Sequence, residues 1–99
     1  MYDMKNLSKI KKLEENAPKA FETFFAFDKA AMAPGTVPAK YKELVAVAVA
    51  LTTQCSYCIQ VHVGRAREAG AGDAELAEIT AVAATIRAGG TITHATHLF

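Results

Sequence analysis

Residues Glu43 to His62 read ELVAVAVALTTQCSYCIQVH, and the fold turns on how this stretch is interpreted. In Leu44–Leu51, Val45, Val47 and Val49 alternate with Ala46, Ala48 and Ala50. Alternating β-branched and small residues are a strand signal. Here both alternating sets are apolar, so the alternation defines no face. Alanine favours helix, and Lys40-Tyr41-Lys42-Glu43 leads into the tract without a turn signal. The tract is therefore read as a buried helix. Thr52-Thr53-Gln54 interrupts it, with either threonine able to cap a second helix from about Cys55 to Ala69. Gly70-Ala71-Gly72 ends that helix, with Gly70 in the position just past the last turn. Two helices joined so closely form an antiparallel pair with a CxxC at the start of the second.

On one helix Cys55, Cys58 and His62 fall at i, i+3 and i+7 and share a face. Such i, i+3 β-carbons lie about 5–6 Å apart, and a disulfide wants about 3.5–4.5 Å. A small adjustment closes the bond, as befits a dithiol that switches. In an antiparallel pair centred on Thr52-Thr53, equal heights put Glu43 opposite His62 and Val47 opposite Cys58. Glu43 is the only acid between residues 29 and 67. The spacing thus allows a relay of Glu43, His62, Cys58 and Cys55.

Toward the N-terminus, residues 1–15 read as a polar helix with Leu7, Ile10 and Leu13 as a thin stripe. Asn16 is the expected N-cap of a helix that has Pro18 in its first turn, carries Phe21, Phe24, Phe25 and Phe27, and runs to about Met32. Those aromatics are expected in the core or at a subunit contact. Ala33-Pro34-Gly35-Thr36-Val37-Pro38 cannot continue a helix and reads as a loop within one domain, 1–99. Toward the C-terminus, Asp73 is expected to cap a helix from Ala74 to about Ala88. Gly89-Gly90 is expected to break it, leaving Thr91–Phe99 as a short helix or tail, and Arg87 reads as a helix-end charge. The fold class is all-α.

A net charge of +1 favours no polyanion, and the Lys5, Lys9, Lys11, Lys12 cluster reads as a solvated helix face rather than a nucleic-acid site. The opening residues lack the apolar core of a signal peptide. Leu44–Leu51 is too short for a bilayer, which takes about 20 residues. The expectation is a cytoplasmic protein with neither membrane nor nucleic acid as partner. In that compartment a CxxC is more often redox-active or metal-binding than a structural staple. With 52% hydrophobic residues and uncharged runs at Leu44–Val61 and Ile79–Ile86, a domain this small is expected to form a homo-oligomer.

A thiolate, not a thiol, attacks a peroxide or a disulfide, and a free cysteine has a pKa of about 8.5. His62, one turn beyond Cys58, is placed to take its proton, and Glu43 to fix the imidazole tautomer. The helix dipole favours a thiolate at Cys55, but a positioned base acts on one thiol, so Cys58 is read as nucleophile and Cys55 as resolving thiol. Two rivals compete. A zinc site could use Cys55, Cys58, His62 and one of Glu43, His94 or His97, but CxxC zinc sites usually sit in turns, and this one runs into an apolar helix. A thioredoxin-like fold would want a proline facing the dithiol, and none follows Pro38. No metal or organic cofactor is expected.

Glu43, eleven residues, Cys55-Ser56-Tyr57-Cys58, three residues and His62 resemble the alkylhydroperoxidase D (AhpD) branch of the carboxymuconolactone decarboxylase family. KYKELVAVAVALTTQCSYCIQVH, AREAGA and IRAGGTITHA look like the same family, over residues 16–98. The resemblance implies an all-helical fold assembling as trimers or hexamers. It also implies peroxidase chemistry at Cys58, a disulfide with Cys55, and a proton relay through His62 and Glu43. The substrate would be a hydroperoxide and the electron donor an external dithiol or disulfide reductase. AhpD proper has a histidine where this chain has Tyr57, whose phenol donates a hydrogen bond but is a poor base near neutrality. A disulfide reductase or redox adaptor, or a redox-sensing subunit, is the alternative use of the same dithiol.

Overall fold

The computed structural model describes all 99 residues, and every regular element is helical. A 3₁₀ segment, Met4–Lys9, leads into α1 (Ile10–Asn16) and α2 (Pro18–Met32). These are followed by α3 (Ala39–Thr53), α4 (Ser56–Glu68), α5 (Asp73–His94) and a closing 3₁₀ turn, Ala95–Leu98. The chain divides into two compact units, residues 1–39 and 40–99. No helix is long and apolar enough to cross a membrane.

In the first unit the expected single helix over 1–15 is instead a 3₁₀ segment continued as α1. Asp3 starts it, its carboxylate accepting the Lys5 N–H at 2.9 Å. Asn16 is not a cap. It is the last residue of α1, and its side-chain amide donates to the Lys12 carbonyl at 2.6 Å. Ala17, at φ −143° and ψ 64°, makes the corner, and Pro18 opens α2 where a missing N–H costs nothing. Phe21 and Phe25, four apart, are the half-buried aromatics of α2, while Phe24 and Phe27 are exposed.

The second unit settles the Val/Ala alternation. In a strand, Val45, Val47 and Val49 would share a face. Here Val47 is 3% exposed, whereas Val45 and Val49 are 60% and 55% exposed. Leu44, Val47 and Ala50 are the buried residues of α3, at helical spacing. Leu44 joins Ala66 of α4 and Ala71 in a small core against which Leu76 and Ile79 of α5 pack.

Both α3 and α4 end in the same way. After α4, Gly70 takes φ +99°, its N–H donates to the Arg67 carbonyl at 2.9 Å, and the Ala71 N–H donates to Ala66 at 2.9 Å. Gly70 thus stands where the sequence put it. After α3 the left-handed residue is Gln54, at φ 57°, and the Cys55 N–H reaches back to the Ala50 carbonyl at 3.0 Å. A glutamine in that conformation is uncommon.

The third helix of this unit differs from expectation at both ends. Gly72, not Asp73, is the N-cap of α5, and the Glu75 carboxylate accepts the Gly72 N–H at 3.3 Å. Asp73 is the first helical residue, and its carboxylate accepts from Arg67 Nη2 at 2.7 Å. At the far end Gly89-Gly90 does not break the helix, which continues to His94. Glycine costs about 1 kcal/mol per helical position, too little to end a helix that no proline interrupts. Thr91 Oγ1 donating to Arg87 O and Thr93 Oγ1 to Gly89 O tie their hydroxyls to the preceding turn.

Candidate active site

The four residues singled out in the sequence all lie in the second unit, on α3, on α4 and in the tight link between them. Glu43 is one turn into α3, on the residue before buried Leu44. His62 is in the middle of α4. His62 Nδ1 lies 2.6 Å from Glu43 Oε2, and the two side chains are 19% and 12% exposed. A carboxylate only accepts, so the proton between them sits on Nδ1. Nε2 is then the ring nitrogen with a lone pair to offer. The antiparallel register expected from Thr52-Thr53 is thus realised as a short hydrogen bond.

Cys55 and Cys58 are joined in a disulfide, with their Cα atoms 5.3 Å apart, and both residues are partly buried. Cys55 is not the first residue of α4 but its N-cap, extended at φ −91°, ψ 93°. Its sulfur accepts the Cys58 N–H at 3.3 Å. The threonines expected to cap α4 are engaged elsewhere. Thr52 Oγ1 donates to Val49 O at 2.9 Å, and Thr53 Oγ1 to Val49 O at 3.1 Å, both within the last turn of α3. The Schellman turn at Gln54 explains the exchange: it consumes the threonine segment as the end of α3 and delivers Cys55 in the extended conformation that a cap requires. The functional point missed in the sequence is thus a cysteine in a role usually filled by serine, threonine or aspartate. The i+3 spacing of the next amide carried the signal.

His62 follows Cys58 by one turn of the same helix, so the imidazole and the second sulfur share a face. The site therefore stacks a carboxylate, an imidazole oriented by it and a sulfur pair at a helix N-terminus. No side chain of the site other than the Glu43–His62 pair forms an ion pair. The other two histidines pair with each other: His94 and His97 meet edge to face with ring centroids 5.0 Å apart at the end of α5. No three His, Cys, Asp or Glu side chains gather in an arrangement that could hold a metal ion. The zinc set considered from the sequence is not assembled. Arg87 lies inside α5, two turns before its end, rather than at a helix terminus.

The profile of the carboxymuconolactone decarboxylase family matches residues 18–99. An uncharacterized protein encoded in the cox locus of Paracoccus denitrificans is 43% identical over 74 residues, 75% of this chain and 67% of that protein. An uncharacterized protein of Cupriavidus necator is 37% identical over 70 residues, 71% of this chain and 62% of its own length. The chain thus spans about two thirds of these relatives. Among solved structures, a protein from Methanobacterium thermoautotrophicum superposes with a TM-score of 0.81 at 37% identity, over 88% of this chain and 98% of the other. An apo carboxymuconolactone decarboxylase family protein from Legionella pneumophila does so with a TM-score of 0.76 at 28% identity, covering 91% and 80%.

Proposed function

The chain belongs to the carboxymuconolactone decarboxylase family, and within it we propose that this protein is a thiol-dependent peroxidase that reduces organic hydroperoxides through the Cys55–Cys58 pair. The observation that carries the reading is the 2.6 Å contact between Glu43 and His62, one helical turn from Cys58. A dithiol kept only for structure has no use for an oriented base beside it.

The cycle begins with the reduced pair. His62 Nε2 takes the Cys58 proton while Glu43 accepts from Nδ1–H and stabilises the imidazolium that forms. The Cys58 thiolate attacks the distal peroxide oxygen: an S–O bond forms, the O–O bond breaks, and the leaving alkoxide takes the proton from His62 to become an alcohol. Cys55 then attacks the sulfenic sulfur. The S–S bond forms, and hydroxide leaves with the Cys55 proton as water. An external dithiol reduces the disulfide and is itself oxidised, so one hydroperoxide and one dithiol give one alcohol, one water and one disulfide. With a tyrosine at position 57, His62 is the sole imidazole within the CSYCIQVH segment, and the whole proton transfer falls to it.

Self-association goes with this reading. Val45 and Val49 on α3, and Val82 and Ile86 on α5, are each more than half exposed, at i, i+4 spacing on both helices. A second copy is the occupant the proposal gives to these faces.

The test is consumption of tert-butyl hydroperoxide with dithiothreitol as reductant. Wild type should turn over, Cys58→Ser should be inactive, and Cys55→Ser should stop after forming one sulfenic acid per chain. A wild type that exchanges its disulfide with dithiothreitol yet consumes no peroxide would overturn the peroxidase and leave a dithiol that serves another protein.

A further inference from the structure

On the C-terminal side of α3 the second unit has an open surface hollow of about 270 Å³ that the catalytic scheme does not use. Leu51 and Thr52 from the last turn of α3, Gln54 from the link, and Thr80, Ala83, Ala84 and Arg87 from α5 line it. The α5 residues follow i, i+3, i+4, i+7, so one helix face supplies that whole wall. Its middle is two alanines, and this small-residue step makes the hollow. Gln54 immediately precedes Cys55, so the cavity borders the link that carries the dithiol.

Two of the four polar side chains at this cavity, Arg87 and Gln54, are donors without a protein acceptor. Arg87 makes no ion pair, and its guanidinium donates to no protein acceptor; the Arg87 carbonyl alone is engaged, by Thr91. Arg87 is solvent-exposed and stands two turns before the end of α5, so it does not answer the helix dipole, which a cation does in the last turn. The Gln54 amide also has no partner within the protein, although its backbone is held at φ 57°, a conformation that glycine would adopt at less cost. Thr52 and Thr80 donate their hydroxyl protons to Val49 O and Leu76 O, which keeps both hydroxyls fixed. A fork of guanidinium donors, an amide donor and a short apolar wall of Leu51, Ala83 and Ala84 suit one chemistry: a carboxylate with an aliphatic segment attached.

We infer that this cavity is a subsite for the carboxylate end of a small aliphatic acid, with Arg87 as its principal anchor. Resting on the peroxidase reading, the inference further specifies the substrate as a hydroperoxide that carries a carboxylate. Arg87 and Gln54 hold the acid group beside the link while the hydroperoxide end is presented to Cys58.

The experiment has a binding arm and a kinetic arm. Hexanoate is titrated into the ¹⁵N-labelled oxidised protein, with hexanol as the uncharged control. The amides of Leu51, Gln54 and Ala84 should shift with hexanoate and not with hexanol. Arg87→Gln should weaken that binding by about tenfold, and Ala84→Leu, which fills the hollow, should abolish it without touching the charge. In the kinetic arm, turnover of 6-hydroperoxyhexanoate is compared with that of its methyl ester. Arg87→Gln should raise KM for the acid by about tenfold while leaving kcat and both constants for the ester unchanged. Equal shifts with hexanol, hexanoate binding unaffected by Arg87→Gln, or an equal loss for acid and ester would each overturn the subsite. If no peroxide is turned over while hexanoate still binds through Arg87, the peroxidase falls and the carboxylate subsite stands.

Discussion

Glu43→Gln is the substitution that weighs the carboxylate–imidazole contact most directly. Glutamine keeps the shape and leaves a carbonyl oxygen able to accept from His62 Nδ1–H, so the tautomer can survive while the charge is lost. With charge centres about 4 Å apart and an effective dielectric near 20, carboxylate and imidazolium attract by about 4 kcal/mol. Neither side chain is fully buried, at 12% and 19% exposure. Solvent screening and desolvation reduce the net worth to about 1.5–3 kcal/mol, the range of a charge-assisted hydrogen bond. That stabilisation is felt while the imidazole holds the Cys58 proton, so its loss should slow peroxide turnover by about 10- to 100-fold. The assay is the initial rate of tert-butyl hydroperoxide reduction under saturating dithiothreitol, with thiol titration to establish that both cysteines remain reducible. His62→Gln should cost more. The double variant should be no worse than His62→Gln alone, since Glu43 acts through the imidazole. Glu43→Gln within twofold of wild type, or losses that multiply in the double variant, would refute the relay.

Three further outcomes bear on the scaffold. Gly70→Ala should lower unfolding free energy in urea by about 1–2 kcal/mol, since the new methyl meets nothing within 4 Å and the cost is the left-handed backbone alone. Gly90→Ala should do the reverse and stabilise by about 0.5–1 kcal/mol, because the residue is an exposed interior position of α5 with open space around it. The last concerns pH. The Lys40 ammonium at 3.0 Å, and next the Gly72 N–H, hold the Glu75 carboxyl below its ordinary value. Glu75 therefore binds its proton less readily folded than unfolded, and its contribution is complete at neutral pH and drains away as pH falls through the carboxylate range. The urea-midpoint gap between wild type and Glu75→Gln should close on acidification from pH 7 to 3; a constant gap would contradict it.

The helix pair was legible because the evidence for it is local. Alanine content outweighed the valine alternation in α3, and a close link fixed the antiparallel register that brings Glu43 to His62. The all-helical class followed from the same reasoning. What escaped were choices among near-equal local partners. Thr52, Thr53 and Cys55 all offer a cap for α4, and the winner depends on where the Gln54 turn ends α3, which propensity does not reveal. Asn16 and Asp73 are favoured caps that here find another acceptor and another donor, Lys12 and Arg67. Gly89-Gly90 looked like a terminus because two glycines are costly in isolation. In the chain the cost is spread over a 22-residue helix whose turns on both sides are intact.

The sulfur of Cys55 belongs at once to the dithiol and to the hydrogen-bonded start of α4, through the Cys58 amide. An electron-transfer event at the pair is thereby written into the backbone. When Cys55 changes between disulfide and thiol, the acceptor seen by one particular amide proton changes with it. The Cys58 ¹H–¹⁵N resonance is in that sense a built-in gauge of the redox state, readable in ¹⁵N-labelled protein without a chromophore or a trapping reagent. The start of α4 is thus capped differently before and after the pair changes its redox state.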